Sequence, residues 1–322
     1  MENSRDNYLD NAKFFLILLV VLGHSMEILS GHYIQVLYRL IYLFHIPAFV
    51  LIAGYFLKFQ KKQKFSEMIT QYLIFQTIYC GFNIYILKND ASFSYSTPYW
   101  ILWFSLALIF WKLVTPLFIK LKYPVVIAVI IAVLIGYDDS VGYYFCLSRT
   151  IVFFPFFLLG YYAEKRHFDK LKSFFNPIFS LIIFSFSFLL LLKLPSFHIG
   201  LLYNSSSYKA MGFSSLYAGI FRLLFLAWGG ILVLAFFVII PNSKQVYSKL
   251  GQRTFQAYIL HGFIIKLLAY YQLSSYITSY FYKALFFIGI ILITIILLLK
   301  PWQYIFYPIK YLSKLIFAEK SI

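Results

Sequence analysis

Long apolar runs separated by short polar and basic stretches fill most of this chain of 322 residues. A helix needs about 20 mostly apolar residues to cross the hydrocarbon core of a bilayer. By that measure the pattern predicts helices near 13–30, 33–57, 66–87, 99–120, 123–137, 148–163, 176–194, 215–240, 253–271 and 281–300. The expected fold is all-α: a polytopic transmembrane bundle of about ten helices, forming one membrane domain over residues 1–322. The fifth and sixth segments are short, as a tilted or re-entrant helix would be. Tyr304–Phe317 looks amphipathic and is expected to lie on the inner membrane surface. Phe14–Leu22 has the length of a signal-peptide core. No small-residue cleavage site follows it, and His24 and Glu27 continue the segment, so it reads as a retained first helix.

Composition and charge agree with this picture. Hydrophobic residues make up 62% of the chain and charged residues 12%, against about 25% charged in soluble domains. The net charge of +17 does not imply nucleic acid, because the basic residues sit between apolar runs rather than in one patch. Lys58, Lys61, Lys62 and Lys64 fall in one loop, Lys120 and Lys122 in another, and Lys165, Arg166, Lys170 and Lys172 in a third. Lys244 and Lys249 follow, and the tail adds Lys300, Lys310, Lys314 and Lys320. The intervening loops hold Lys88, Lys209 and the acidic pair Asp138 and Asp139. Basic loops mark the cytoplasmic side, so both termini are expected in the cytoplasm and the protein in the plasma membrane. Cys80 and Cys146 have no metal-type spacing and read as apolar fillers, a disulfide between them being the alternative.

Charges inside a span are costly and usually face a protein interior or a wet cavity. The candidates are Lys13, His24, Glu27, Arg39, His45, Lys112, Arg149, Arg222, Arg253, His261 and Lys266. Lys13 and His24 lie 11 residues apart, which is about 20° beyond three full turns and about 16 Å in depth. Asp10 and Glu27 fall near the same stripe, so a polar track runs along the first helix. His45 precedes Pro47, which removes a backbone donor, and Gly54 permits close helix packing. His45 and His261 both fall near mid-depth, with Tyr258 one turn from His261. No HxxxH or HExxH spacing is present, and the nearby Lys and Arg would repel a cation, so no metal is expected.

At these residues the chain resembles the membrane-bound acyltransferase family 3, whose members act on carbohydrates. The family's first-helix signature is a basic residue, ten residues, then histidine. Here it reads Lys13 to His24 within YLDNAKFFLILLVVLGH, with lysine where many members have arginine. FHIPAFVLIAGYF (Phe44–Phe56) is similar to the second-helix pattern, and GQRTFQAYILH (Gly251–His261) to the late Gly…Tyr…His motif. PYWILWFSLALIFWKLVTP (Pro98–Pro116) resembles the Trp-rich helix of the fucose 4-O-acetylase-like branch, and SRTIVFFPFFLLGYY (Ser148–Tyr162) adds a softer likeness. The RxxR motif of some members is absent.

The resemblance implies a stand-alone membrane O-acyltransferase, with acetyl-CoA as donor and an envelope or exported carbohydrate as acceptor. Acyl transfer to a hydroxyl needs a base, a place for an oxyanion and a bound acyl donor. His24 is expected as general base or transient acyl carrier, held by Glu27, with His261 assisting. Lys13 and Arg253 are placed for donor phosphates. Arg39, His45, Arg149, Arg222, Tyr258 and Lys266 are assigned to the acceptor or oxyanion side. The alternative is a transporter or flippase for an envelope glycolipid, disfavoured by the missing inverted repeat.

Overall fold

The computed structural model describes residues 7–58, 65–90, 93–195, 197–213 and 216–317. Lys61, Lys62 and Lys64 of the basic loop, and Lys320 of the tail, lie outside the described residues. Every regular element among those described is helical. The principal helices are α1 (Asn7–Met26), α2 (His32–Leu57), α3 (Phe65–Gly81), α4 (Trp103–Phe118), α5 (Pro124–Leu134) and α6 (Leu147–Tyr162). They continue with α7 (Lys165–Phe174), α8 (Pro177–Lys193), α9 (Ala218–Ile239), α10 (Thr254–Tyr270), α11 (Tyr280–Leu297) and α12 (Tyr307–Ile316).

Six of these, some with an adjoining 3₁₀ turn, are long and apolar enough to cross a membrane: α1, α2, α4, α6, α9 and α11. The sequence pattern gave about ten spans. The difference lies in α3, α8 and α10, of 17 residues each, and α5, of 11. At 1.5 Å per residue, 17 residues rise about 25 Å, short of the roughly 30 Å core. Taking α7 and α8 as one span bent by 83° gives a seventh. An apolar run therefore measured the extent of a segment but not how much of it is straight helix. The outer surfaces carry large apolar side chains, among them Phe186, Leu224 and Ile288, as helices facing lipid do.

The chain divides into two compact units, Met1–Phe49 with Glu164–Ser196 and Ala227–Gln303, and Val50–Ala163 with Phe197–Leu226 and Tyr304–Ile322. In the first, α1 packs against α10, α11 and the turn Ser248–Gly251. Phe14, Ile17, Val20, Ala257, Leu297 and Leu298 form the buried core there. Polar groups pin the start of α1. Asn11 donates to the carbonyls of Pro241 and Ser243, both at 2.9 Å, and accepts from Ser248 Oγ at 2.6 Å. Gly251 lies directly over the Asp10 carbonyl, where a Cβ would come within 1.8 Å. Beside these, α7 is amphipathic: Phe168 is buried against Tyr8 and Phe237 at 5.6 and 5.1 Å between ring centres, and Lys172 turns back to donate to Asn242 Oδ1 at 3.0 Å, while Lys165, Arg166 and Lys170 are exposed.

In the second unit α6 is central, flanked by α4 and α5, and α12 packs on α3. The end of α2 crosses α6 at two glycines. A Cβ on Gly54 would lie 2.0 Å from the Phe157 carbonyl oxygen, and one on Gly160 would lie 1.9 Å from that of Leu51. The expectation of close packing at Gly54 is met by backbone-to-backbone contact. Cys80 and Cys146 are buried and free.

Candidate active site

The polar track on α1 ends in a compact cluster within the first unit. His24 sits on the last turn of α1 and Glu27 just beyond its end. His24 Nδ1 lies 3.0 Å from Glu27 Oε1, as an i, i+3 pair on a helix can. Tyr42 of α2 completes a triangle: its hydroxyl donates to Glu27 Oε1 at 2.7 Å and lies 2.9 Å from His24 Nδ1. Tyr38, one turn earlier on α2, reaches the same carboxylate oxygen at 3.3 Å. The side chains of His24 and Glu27 are 15% and 29% exposed.

An ionised carboxylate only accepts hydrogen bonds. Glu27 therefore requires the proton on Nδ1 of His24, which makes Nε2 the basic nitrogen. A histidine whose Nδ1–H is fixed by a carboxylate is the arrangement that orients a general base. The approach of α2 depends on Gly23, where a Cβ would come within 2.9 Å of the Tyr42 ring.

Two further histidines join the cluster. The His261 ring stacks on that of His24, 5.5 Å between centres and 22° between planes. His261 Nδ1 donates to the Ala257 carbonyl at 3.0 Å, and His45 Nδ1 to that of Ile41 at 2.7 Å. Both side chains are buried. The His45 ring meets Tyr42 edge-on at 4.7 Å, and Tyr258 stands 6.4 Å from His261. The three histidines singled out in the sequence are thus joined through ring contacts. Among the described residues no group of three His, Cys, Asp or Glu side chains is arranged to hold a metal ion.

Lys13 lies at the other end of α1 and pairs with Asp10 at 2.7 Å. Asp10 is buried and also accepts from Gln252 at 3.0 Å. Arg253, half-buried, directs its guanidinium to the Leu298 carbonyl at 3.5 Å, beside the last turn of α11. Gln256 donates to the carbonyls of Leu297 and Leu299, both at 2.7 Å. The late motif thereby ties α10 to both the start of α1 and the end of α11. Arg39 and Lys266 are half-buried on α2 and α10.

Arg149 and Arg222 belong to the second unit. Arg222 is buried and donates to the Ser206 and Ala132 carbonyls at 3.1 and 3.5 Å, with its cation 4.5 Å from the Tyr208 ring centre. It fastens the 204–212 segment to the end of α5. Lys112, on α4, lies 3.9 Å from Met68 Sδ.

Sequence reading missed Tyr42, Tyr38 and Gly23. Tyr38, Tyr42 and His45 are spaced i, i+4, i+7 on α2, one face of a helix, and that stripe was the signal available. Two of the three tryptophans of the Trp-rich segment also find partners on the SRT stretch: Trp103 lies over Arg149, and Trp111 Nε1 donates to the Thr150 carbonyl at 2.8 Å.

A family model described as an acyltransferase domain, that of acyltransferase family 3, matches residues 6–300. No curated protein and no solved structure matches the chain.

Proposed function

Because this chain belongs to acyltransferase family 3 and is a membrane acyltransferase, we propose that it transfers an acetyl group from acetyl-CoA to a hydroxyl of an envelope or exported carbohydrate, in the plasma membrane. The observation that carries this reading is the triangle of His24, Glu27 and Tyr42. In the proposed step, His24 Nε2 takes the proton of the acceptor hydroxyl as its oxygen attacks the thioester carbonyl. The tetrahedral intermediate collapses with cleavage of the C–S bond. The imidazolium returns the proton to the departing thiolate, so CoA leaves as the thiol. Glu27 holds the ring and balances the imidazolium while it is charged. In the variant with a transient acyl carrier, Nε2 attacks the thioester first and expels the CoA thiolate; the acceptor hydroxyl then attacks the acyl-imidazolium, its proton is left on the freed imidazole, and the thiolate takes that proton to leave as the thiol.

Donor binding falls to Lys13 and Arg253. A phosphate at Lys13 stands about 16 Å from His24 along α1, a gap that the long, thin pantetheine arm can span. His261 supports the His24 ring by stacking, and Tyr258 and His45 extend the same wall.

Purified protein in nanodiscs, given acetyl-CoA and envelope glycan, tests the proposal. The expected result is release of free CoA together with acetylated glycan, abolished in His24→Ala protein that still folds. A protein that only moves glycolipid would release no CoA. Parental acetylation by His24→Ala would remove His24 from the mechanism.

A further inference from the structure

Arg149 stands on the first turn of α6 in an unusual setting. Its guanidinium carbon lies 5.1 Å from the ring centre of Trp103, 5.4 Å from that of Tyr143 and 5.4 Å from that of Tyr203. Three aromatic rings therefore surround one cation. The side chain makes no hydrogen bond or ion pair with any described residue, and its buried Nε has no acceptor. Arg222 also has a buried Nε with no acceptor among the described residues, but it spends its terminal nitrogens on two carbonyls.

A guanidinium carries five donors in a planar fork and no acceptor. Aromatic faces attract the cation but leave the in-plane donors unsatisfied. A half-buried fork in that state is matched by a planar or tetrahedral oxyanion, which takes two parallel N–H bonds at once.

The backbone around Arg149 is held in a costly form. Phe145 and Cys146 both adopt left-handed conformations, φ 49° and 50°, immediately before α6, and Asn204 does so after Tyr203 at φ 54°. Non-glycine residues rarely adopt this conformation, and it persists where surroundings over-determine it. Those surroundings are visible. Ser148 Oγ donates to the Asn204 carbonyl at 2.7 Å, and Ser205 Oγ donates to Tyr143 OH at 3.3 Å. These bonds clamp the Tyr203 and Tyr143 segments to either side of Arg149. Tyr143 and Tyr144 leave 57% and 60% of their surface open, so aromatic surface is available for the apolar face of a sugar ring.

We propose that Arg149, caged by Trp103, Tyr143 and Tyr203, anchors an oxyanion on the carbohydrate, so that the acceptor is an acidic glycan carrying a carboxylate or phosphate group. This rests on the acyl-transfer reading for the word acceptor; the anion site itself does not. A carboxylate from an acidic sugar and a phosphate ester present the same paired oxygens to the fork.

Binding is measured first, on full-length protein in nanodiscs, with three probes: a neutral hexoside, the matching hexuronide and the matching hexoside phosphate. At least one anionic probe is expected to bind about tenfold or more tightly than the neutral one, with the preference lost in Arg149→Ala and in Arg149→Gln and partly kept in Arg149→Lys. Preference for the hexuronide alone names an acidic sugar as the source, and preference for the phosphate alone names a phosphoester. Equal binding of all three probes, or an anion preference unchanged in thermally stable Arg149→Ala or Arg149→Gln, overturns the proposal. Acetyl transfer to the same probes is measured second. The Arg149 variants are expected to raise KM for the anionic acceptor about tenfold while changing kcat little. Release of no CoA with any probe defeats the acyl-transfer reading, while the binding comparison still decides the anion site.

Discussion

Nδ1 of His24 is shared by a carboxylate and a phenol. Tyr42→Phe removes the 2.7 Å bond to Glu27 and the 2.9 Å contact with His24 but leaves the ring in place. The expected result is a fall in kcat of about tenfold with little change in KM for acetyl-CoA, read in steady-state kinetics. Glu27→Gln keeps the shape but no longer requires the proton on Nδ1, and is expected to cost more, about a hundredfold in kcat. Lys13 needs a two-step test, because its partner Asp10 is buried. Lys13→Ala alone takes the neighbouring cation from that buried carboxylate, at a cost of about 3 kcal/mol in stability. In an Asp10→Asn background that charge is gone, and Lys13→Ala is expected to raise KM for acetyl-CoA. An unchanged KM in that background would show that Lys13 serves only the α1 anchor. The chemistry-bearing residues of α1 were legible because a charge within an apolar run is conspicuous. Tyr42 was not, because tyrosine is ordinary in a chain holding 29 of them.

Each apolar segment contains a helix, yet helix ends and irregularities follow from local hydrogen bonding that hydrophobicity does not encode. The segment at 66–87 closes in a π turn at Phe82–Ile86, and the one at 99–120 opens in a 3₁₀ turn at Trp100–Leu102. The π turn coincides with a polar knot, where buried Asn83 accepts from Asn89 Nδ2 at 2.9 Å and from Tyr99 OH at 3.1 Å. Packing of α2 on α6 offers the sharpest test at this scale. Gly54→Ala places a methyl 2.0 Å from a backbone oxygen, which no side-chain rotation relieves. It is expected to destabilise the protein by about 2–3 kcal/mol, seen as a lower melting temperature in detergent. A mild effect would mean that the two helices slide apart at little cost.

For the whole molecule the expected orientation rests on the basic residues. Lys165, Arg166, Lys170 and Lys172 cluster on α7, with Phe168 of the same helix buried against Tyr8 and Phe237. Such an amphipathic basic helix belongs at an anionic inner leaflet. A cysteine replacing Lys170, in a background without Cys80 and Cys146, is expected to resist an impermeant maleimide in intact cells and to react after permeabilisation. Labelling of intact cells would reverse the topology. The acyl donor and acceptor sides assigned here would reverse with it.

Hydrophobic pattern alone determined that this is an all-helical membrane protein, because only segments with satisfied backbones and apolar flanks are stable in lipid. It also located His24, Glu27 and His261, because polar groups are rare in such segments and each one needs a reason. Only the tertiary structure decided which of these residues meet. His24 and His261 are separated by 237 positions, and nothing in either segment specifies the stacking of their rings; that depends on α10 packing against α1. The cage around Arg149 likewise draws its rings from α4, from the turn before α6 and from the turn at Gly200–Tyr203. Periodicity reports the face a helix buries but not the partner it buries against, since apolar surfaces are interchangeable. The choice of partner is made by shape, here by glycines that admit a neighbouring backbone and by polar groups that must find acceptors in the dry interior.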